Sequence, residues 1–69
     1  ELNPSYPAYA NLGYLYLQQR RYAESVAITE KALQMNDKDY LEWDNLGTAY
    51  QWMGQKDKAA QARARERSP

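Results

Sequence analysis

The apolar residues near the start of the chain recur at helical spacing. Tyr9, Leu12 and Tyr16 stand three and four positions apart, which places them on one side of an amphipathic helix and does not fit the alternation of a strand. Pro7 suits the first turn of this helix, where a missing backbone N–H is tolerated. The pattern predicts a first helix over about residues 8–17.

A second helical pattern runs from Tyr22 to Met35. Its apolar face includes Val26 and Leu33, and the small residue Thr29 falls at the same spacing. This periodicity predicts a second amphipathic helix. The stretch NDKD at residues 36–39 is rich in residues that end one helix and begin the next.

The second half of the chain predicts another pair of helices. Asp39 is a suitable N-cap for a third helix over about Tyr40–Met53. We expect Gly54 to end that helix, because glycine adopts the left-handed conformation without steric cost. Residues 57–69, DKAAQARARERSP, have high helix propensity but few large apolar side chains. Four helices with short connections predict two antiparallel hairpins.

One phrase of the sequence occurs twice. YANLGYLY begins at residue 9 and WDNLGTAY at residue 43, so the pattern aromatic-x-x-Leu-Gly-x-x-Tyr repeats after 43 − 9 = 34 residues. This period, with one helix pair per period, is typical of stacked helical-repeat arrays. We expect Gly13 and Gly47 to let the helices of each hairpin approach closely, since a Cβ there would push them apart.

The repeated phrase resembles the first helix of the tetratricopeptide repeat (TPR), and the resemblance covers nearly the whole chain. It implies an all-α fold in which two antiparallel helix-turn-helix hairpins stack as a fragment of an α-solenoid. Pentatricopeptide repeats, which read RNA, have a similar period but lack this phrase. The residues that match the TPR pattern are Tyr9, Leu12, Gly13, Tyr16, Ala32, Trp43, Leu46, Gly47, Tyr50 and Ala59.

The resemblance divides the chain into three segments. Residues 1–5 resemble the end of a preceding repeat or a linker, residues 6–39 a first repeat, and residues 40–69 a second repeat. Arg63 and Glu66 stand where the family places an aromatic residue and an alanine, so we expect the last helix to be a polar cap. The first helix is expected to present an apolar edge suited to a neighbour. The chain begins without methionine, and we expect an excised piece or a processed product.

The amino-acid composition argues against most catalytic mechanisms. The chain has neither His nor Cys, which excludes disulfides, thiolate metal sites and the common nucleophile–base pairs. We expect no enzyme activity, no catalytic residue, no metal site and no cofactor. The acidic residues are scattered singly and are expected to be solvated surface: Glu24, Glu30, Asp37, Asp39, Glu42, Asp44 and Asp57.

Charge and hydropathy also limit the partners. Nine Lys and Arg balance nine Asp and Glu, so no net field favours nucleic acid. The arginines at 63–67 are interrupted by Glu66, and a solvated end helix explains them better than nucleic-acid binding. No apolar run approaches the roughly 20 residues that span a bilayer. We expect no nucleic-acid partner and no membrane partner, and we expect the cytoplasm as the compartment.

The resemblance also implies a binding surface. In TPR arrays the first helices of successive repeats line a concave groove that holds a peptide or a partner protein. Large apolar groove residues are the usual anchors of such recognition, although here they could instead pack on one another or on the hairpin below. The candidate groove residues are Asn11, Tyr14, Leu17 and Gln18 from the first helix, and Leu41, Asp44, Asn45, Thr48, Gln51 and Trp52 from the third.

Two details of this surface stay open. Asn11 and Asn45 either hold the backbone of a bound peptide or tie neighbouring helices together. Asn45 matches one asparagine of the clamp that grips acidic chaperone tails in some family members. Ala10 and Tyr14, however, stand where that clamp has a lysine and an asparagine, so this mode is not supported.

A second function is also open, in which the segment is a structural self-assembly element. Its exposed N-terminal repeat edge would pair with a copy of itself. The product would be a homodimer if the contact is isologous and a fibre if it is head-to-tail. In the binding interpretation Tyr14, Leu17 and Trp52 stay exposed, and in the assembly interpretation some of them become buried between chains.

Overall fold

The chain folds into four α-helices joined by short turns. A computed structural model describes residues 6–67, and the segments predicted for residues 1–5 and 68–69 lie outside that range. Each predicted helix is confirmed, with ends within two or three residues of the sequence-based bounds. The helices are α1 Tyr6–Gln18, α2 Tyr22–Met35, α3 Tyr40–Trp52 and α4 Lys56–Arg67.

The helices pack in adjacent pairs. α1 packs on α2 and α3 on α4, and the two hairpins meet mainly where α2 contacts α3, with a smaller contact between α1 and α3. The predicted all-α stack of two helix-turn-helix hairpins is therefore confirmed. The stack measures 34 × 30 × 13 Å, so every helix has a face near solvent.

The hydrophobic core lies between α2, α3 and α4, and Val26 and Trp43 pack against it. Full burial of a leucine or an aromatic side chain contributes about 1.5–3 kcal/mol, so these contacts hold the two hairpins together. The core residues are Leu33, Leu46, Tyr50, Ala59 and Ala62.

Small residues fill the interface inside the first hairpin. Ser25, Thr29 and Ala32 are fully buried, and the Ser25 hydroxyl donates a hydrogen bond to the Gly13 carbonyl oxygen at 2.8 Å. A Cβ on Gly13 would collide with Thr29 Oγ1. The predicted close approach of the helices at Gly13 is therefore confirmed.

The corresponding expectation for Gly47 is wrong in its strict form. A Cβ there would lie 3.2 Å from Cγ of Arg63 and 3.5 Å from the backbone oxygen of Ala59. Only the first of these contacts is tight, and it is longer than the 3.0 Å below which a neighbour is forced to move. The second hairpin therefore has nearly enough room for a methyl group.

The two hairpins end their first helices in the same way. Gly54 has φ 78° as predicted, and Arg20, which is 34 residues earlier, has φ 63°. The backbone N–H of the next residue donates to the carbonyl oxygen five positions earlier. Arg21 donates to Tyr16 and Gln55 donates to Tyr50, both at 2.9 Å. This is the Schellman arrangement, in which glycine is the favoured left-handed residue.

The predicted N-cap of α3 is also confirmed, because the Asp39 carboxylate accepts a hydrogen bond from the Leu41 backbone N–H at 3.1 Å.

Replacing Arg20 with glycine is expected to raise the free energy of unfolding by about 1 kcal/mol, because a left-handed conformation costs roughly 1–2 kcal/mol for a residue with a Cβ. Urea denaturation followed by circular dichroism measures the change. The matched control is Gln19→Gly one position earlier, where φ is not positive and glycine brings only its entropic cost. Loss of stability in both variants would contradict the expectation.

Candidate protein-interaction surface

Six large apolar side chains are prominently exposed among the described residues. Three of them, Tyr14, Leu41 and Trp52, belong to the predicted groove. They come from α1 and from both ends of α3. The six residues are Tyr14, Leu15, Tyr40, Leu41, Trp52 and Met53.

The α1 side of the predicted groove is mostly open. Tyr14 is 48% exposed, and its hydroxyl accepts a hydrogen bond from Gln18 Nε2 at 3.0 Å. Asn11 is exposed as well, whereas Leu17 is half-buried. This side of the surface therefore combines an aromatic ring with amide groups that reach solvent.

The α3 side carries the two most exposed apolar groups. Leu41 is 64% exposed and Trp52 is 69% exposed. The Trp52 ring stacks on Tyr22 of α2, with centroids 6.1 Å apart and planes inclined by 9°. Trp52 thus packs on the neighbouring hairpin, which agrees with one of the two interpretations of the sequence. Most of its surface still faces solvent.

One basic side chain of α4 connects three polar residues of the predicted groove. The Arg63 guanidinium donates to Asp44 Oδ1 at 3.1 Å and to Gln51 Oε1 at 3.1 Å, and it lies 3.5 Å from the Thr48 hydroxyl. The sequence predicts Arg63 as a polar substitute for an aromatic residue in a solvated end helix, and contains no signal for these bonds. These polar residues are therefore held by α4, and a partner would meet them already bonded to it.

The first turn of α3 carries a buried carboxylate, that of Glu42. Glu42 is only 5% exposed, and its Oε1 has no hydrogen-bond partner. Burial, followed by the negative charge of Asp39, raises the pKa of Glu42 from 4.5 to about 7, and the Asn45 amide opposes this rise. The expectation that Glu42 is solvated surface is therefore wrong, because tertiary packing encloses it.

Residues 6–67 contain neither a cluster of metal-binding side chains nor a helix that could span a membrane. No group of three or more His, Cys, Asp or Glu side chains in that range is placed to hold a metal ion. No helix in the described part of the chain is long and apolar enough to cross a membrane. Among the described carboxylates, Glu42 has a raised pKa and lies in the first turn of α3, near Asp39.

The fold and its exposed face define a helical-repeat protein of the α-solenoid type. A family model described as the tetratricopeptide repeat matches residues 6–39, which comprise α1, α2 and the turn that follows them. Residues 6–39 therefore form a tetratricopeptide repeat, and the four helices of the chain are consistent with two such repeats in tandem. Comparisons with curated proteins and with solved structures found no match.

Proposed function

We propose that this chain is a non-enzymatic protein-interaction module that holds a peptide or a partner protein on the face formed by α1 and α3. Repeats of this family generally mediate protein–protein interactions and serve as non-catalytic scaffolds. The observation that carries the proposal is the exposure of Tyr14, Leu41 and Trp52 on residues predicted to line one groove. Large apolar side chains that remain exposed are the usual anchors of peptide recognition.

The groups on this face suggest how a partner is held. Leu41 and Trp52 offer apolar anchors near the two ends of α3, and burial of such anchors dominates the energy of most interfaces. Asn11 and Gln18 on α1 offer amide groups that can bond a peptide backbone. No excess of basic groups faces the partner freely, because Arg63 is occupied by Asp44 and Gln51. The proposed ligand is therefore an apolar peptide segment without a required acidic group.

A test needs a peptide and a matched pair of variants. Peptides selected from a random display library on the immobilised chain should bind the Leu41→Ala variant at least tenfold more weakly. A tenfold loss corresponds to about 1.4 kcal/mol, which is typical of an anchor residue. Isothermal titration calorimetry measures both affinities.

The control for this test is Tyr40→Ala. Tyr40 is 63% exposed, as Leu41 is 64% exposed, but it is not among the predicted groove residues and lies about 100° further round the helix. Its replacement should leave peptide affinity within about threefold of the unmodified chain, a change below about 1 kcal/mol. Equal losses in both variants, or a selection that yields no binding peptide, would reject the concave face as the binding site.

A second candidate function is self-association through the N-terminal edge of the stack. The observation that favours it is a difference between equivalent residues in the two repeats. Leu46 and Tyr50 are 4% and 9% exposed, whereas Leu12 and Tyr16 are only half-buried. The first repeat thus leaves uncovered an apolar surface that the second repeat buries.

A further inference from the structure

The first hairpin carries a cleft between α1 and α2. Its volume is about 240 Å³, and it combines apolar groups with one acidic and one basic residue. Toward α3, helix α2 uses other residues, including Tyr22, Glu30 and Leu33. The cleft therefore belongs to the N-terminal edge of the stack. It is lined by Leu12, Tyr16, Glu24, Ala27, Ile28 and Lys31.

The second hairpin has a cleft built from the equivalent positions. Every residue that lines the first cleft has a counterpart 34 positions later that lines the second, which has a volume of about 360 Å³. Trp43 and one residue of α2, Glu30, complete its lining. The counterparts are Leu46, Tyr50, Lys58, Gln61, Ala62 and Arg65.

Helix α2 covers part of this second cleft. The Tyr50 hydroxyl donates to the Glu30 carboxylate at 2.9 Å, and Leu33 shares the core with Leu46 and Tyr50. Burial, followed by the contact with Glu30, raises the pKa of Tyr50 to about 12. This fold therefore uses a helix to close a cleft of this kind, and in the described residues the first cleft has no such helix.

The charges of the first cleft make it complementary to itself. Glu24 and Lys31 are seven positions apart, which is two turns, so they share one face of α2. Ala27 and Ile28 occupy the midpoint between them. If two α2 helices pack antiparallel about that midpoint, Glu24 of each chain lies opposite Lys31 of the other. Arg21 of the same chain donates to both Glu24 carboxylate oxygens, at 2.8 and 2.6 Å, and each oxygen keeps a second lone pair that can accept from Lys31 of the other chain.

We propose that this cleft is a two-fold interface between two copies of the chain, with the α2 helices antiparallel about Ala27 and Ile28 and two Glu24–Lys31 ion pairs between the chains. The proposal rests on the second candidate function and specifies its geometry. A small residue at the crossing point lets the helices approach closely. Leu12 and Tyr16 then gain the cover that Leu46 and Tyr50 receive from α2.

A head-to-tail contact between copies would not supply the first cleft with the groups that α2 supplies to the second. In that arrangement α4 of one copy would cover the first cleft of the next, as α2 covers the second cleft. The residue of α4 that corresponds to Glu30 is Ala64. The Ala64 side chain cannot accept a hydrogen bond from the tyrosine hydroxyl, so that hydroxyl would be covered without a partner. The chemistry therefore selects the closed dimer over a fibre.

Charge reversal tests this geometry directly. Glu24→Lys and Lys31→Glu should each raise the dimer dissociation constant more than about tenfold, because each change replaces two attractive pairs with two repulsive ones. An equimolar mixture of the two variants should form a heterodimer, since all its cross-chain pairs are again of opposite sign. Light scattering over a wide concentration range measures the mass, and circular dichroism on the same samples verifies the helical fold.

Two further variants separate the interface from the fold. Ala27→Glu places a carboxylate at the centre of an exposed helix face and should abolish the dimer without loss of helicity. Asp57→Lys reverses a first-turn acidic residue of α4 and should leave the dimer unchanged.

The outcomes distinguish this proposal from the function on which it rests. A chain that stays monomeric at all concentrations would overturn both the two-fold interface and the self-association function. The cleft would then be available to a helix of another protein. A dimer insensitive to the charge variants, or an open oligomer, would overturn the two-fold geometry while self-association stands.

Discussion

Replacing Gly13 with alanine is expected to lower the free energy of unfolding by about 1–3 kcal/mol, the usual cost of overpacking. The added Cβ would overlap Thr29 Oγ1 and would lie 3.2 Å from Cγ2 of Ile28. Both neighbours are β-branched, so their χ1 angles have little freedom within a helix. A chain of this length has a total stability of only about 3–10 kcal/mol, so the loss is a large share of it.

The same replacement at Gly47 is the matched control. The nearest atom to the added Cβ is Cγ of Arg63 at 3.2 Å, so a shift of a few tenths of an ångström restores an ordinary contact. Alanine also improves helix propensity by about 0.5–1 kcal/mol. We expect Gly47→Ala to change stability by less than about 1 kcal/mol, measured by urea denaturation beside Gly13→Ala.

A double variant locates the clash. In Gly13→Ala with Thr29→Ala the colliding Oγ1 is gone, and the remaining Cβ contact of 3.6 Å is ordinary. The Thr29 hydroxyl has no hydrogen-bond partner, so its removal forfeits no bond. The two changes should be less than additive, with a coupling of at least about 0.5 kcal/mol. Equal losses at both glycines, or simple additivity of the pair, would show that close packing at Gly13 does not limit the first hairpin.

Local sequence signals were sufficient for the secondary structure. The helical spacing of apolar residues, the N-cap Asp39 and the left-handed Gly54 each act over a few residues, and the structure has all of them. The left-handed Arg20 has no compositional signal, since arginine is uncommon in that conformation. The 34-residue period could have found it, because Arg20 occupies the position equivalent to Gly54.

Contacts between helices determine much of the surface, and they could not be predicted from the sequence. The family resemblance selected groove positions, and their role in binding a partner stays a prediction. The bonds from Arg63 to Asp44 and Gln51 and the stacking of Trp52 on Tyr22 join residues from different helices. Such contacts depend on how the hairpins pack, which periodicity within one helix does not specify.

The ionisation of Glu42 makes stability depend on pH. Its pKa in the fold is about 7, above the ordinary 4.5, chiefly because of burial. Between these values the folded chain keeps a proton that the unfolded chain has released, so stability falls as pH rises from 4.5 to 7. Below 4.5 Glu42 is protonated in both states and costs nothing, and above 7 the full cost is present.

Replacing Glu42 with glutamine is therefore expected to stabilise the chain at pH 8 by about 3 kcal/mol, given about 1.4 kcal/mol for each unit of pKa difference. At pH 4 the substitution should have little effect, because the neutral carboxyl and the amide are similar in size and polarity. Urea denaturation at a series of pH values, at one chain concentration, measures the difference between the two proteins. That difference isolates Glu42 from the other acidic groups.

The matched control is Asp57→Asn, because Asp57 is the first-turn acidic residue of α4 as Glu42 is of α3. Asp57 is exposed, and its charge favours the helix N-terminus by about 0.3–1 kcal/mol. Its neutralisation should slightly lower stability at pH 8, the opposite sign to Glu42→Gln. If Glu42→Gln instead lowers stability equally at pH 4 and pH 8, its carboxylate contributes through contacts that do not depend on charge, and desolvation does not govern this site.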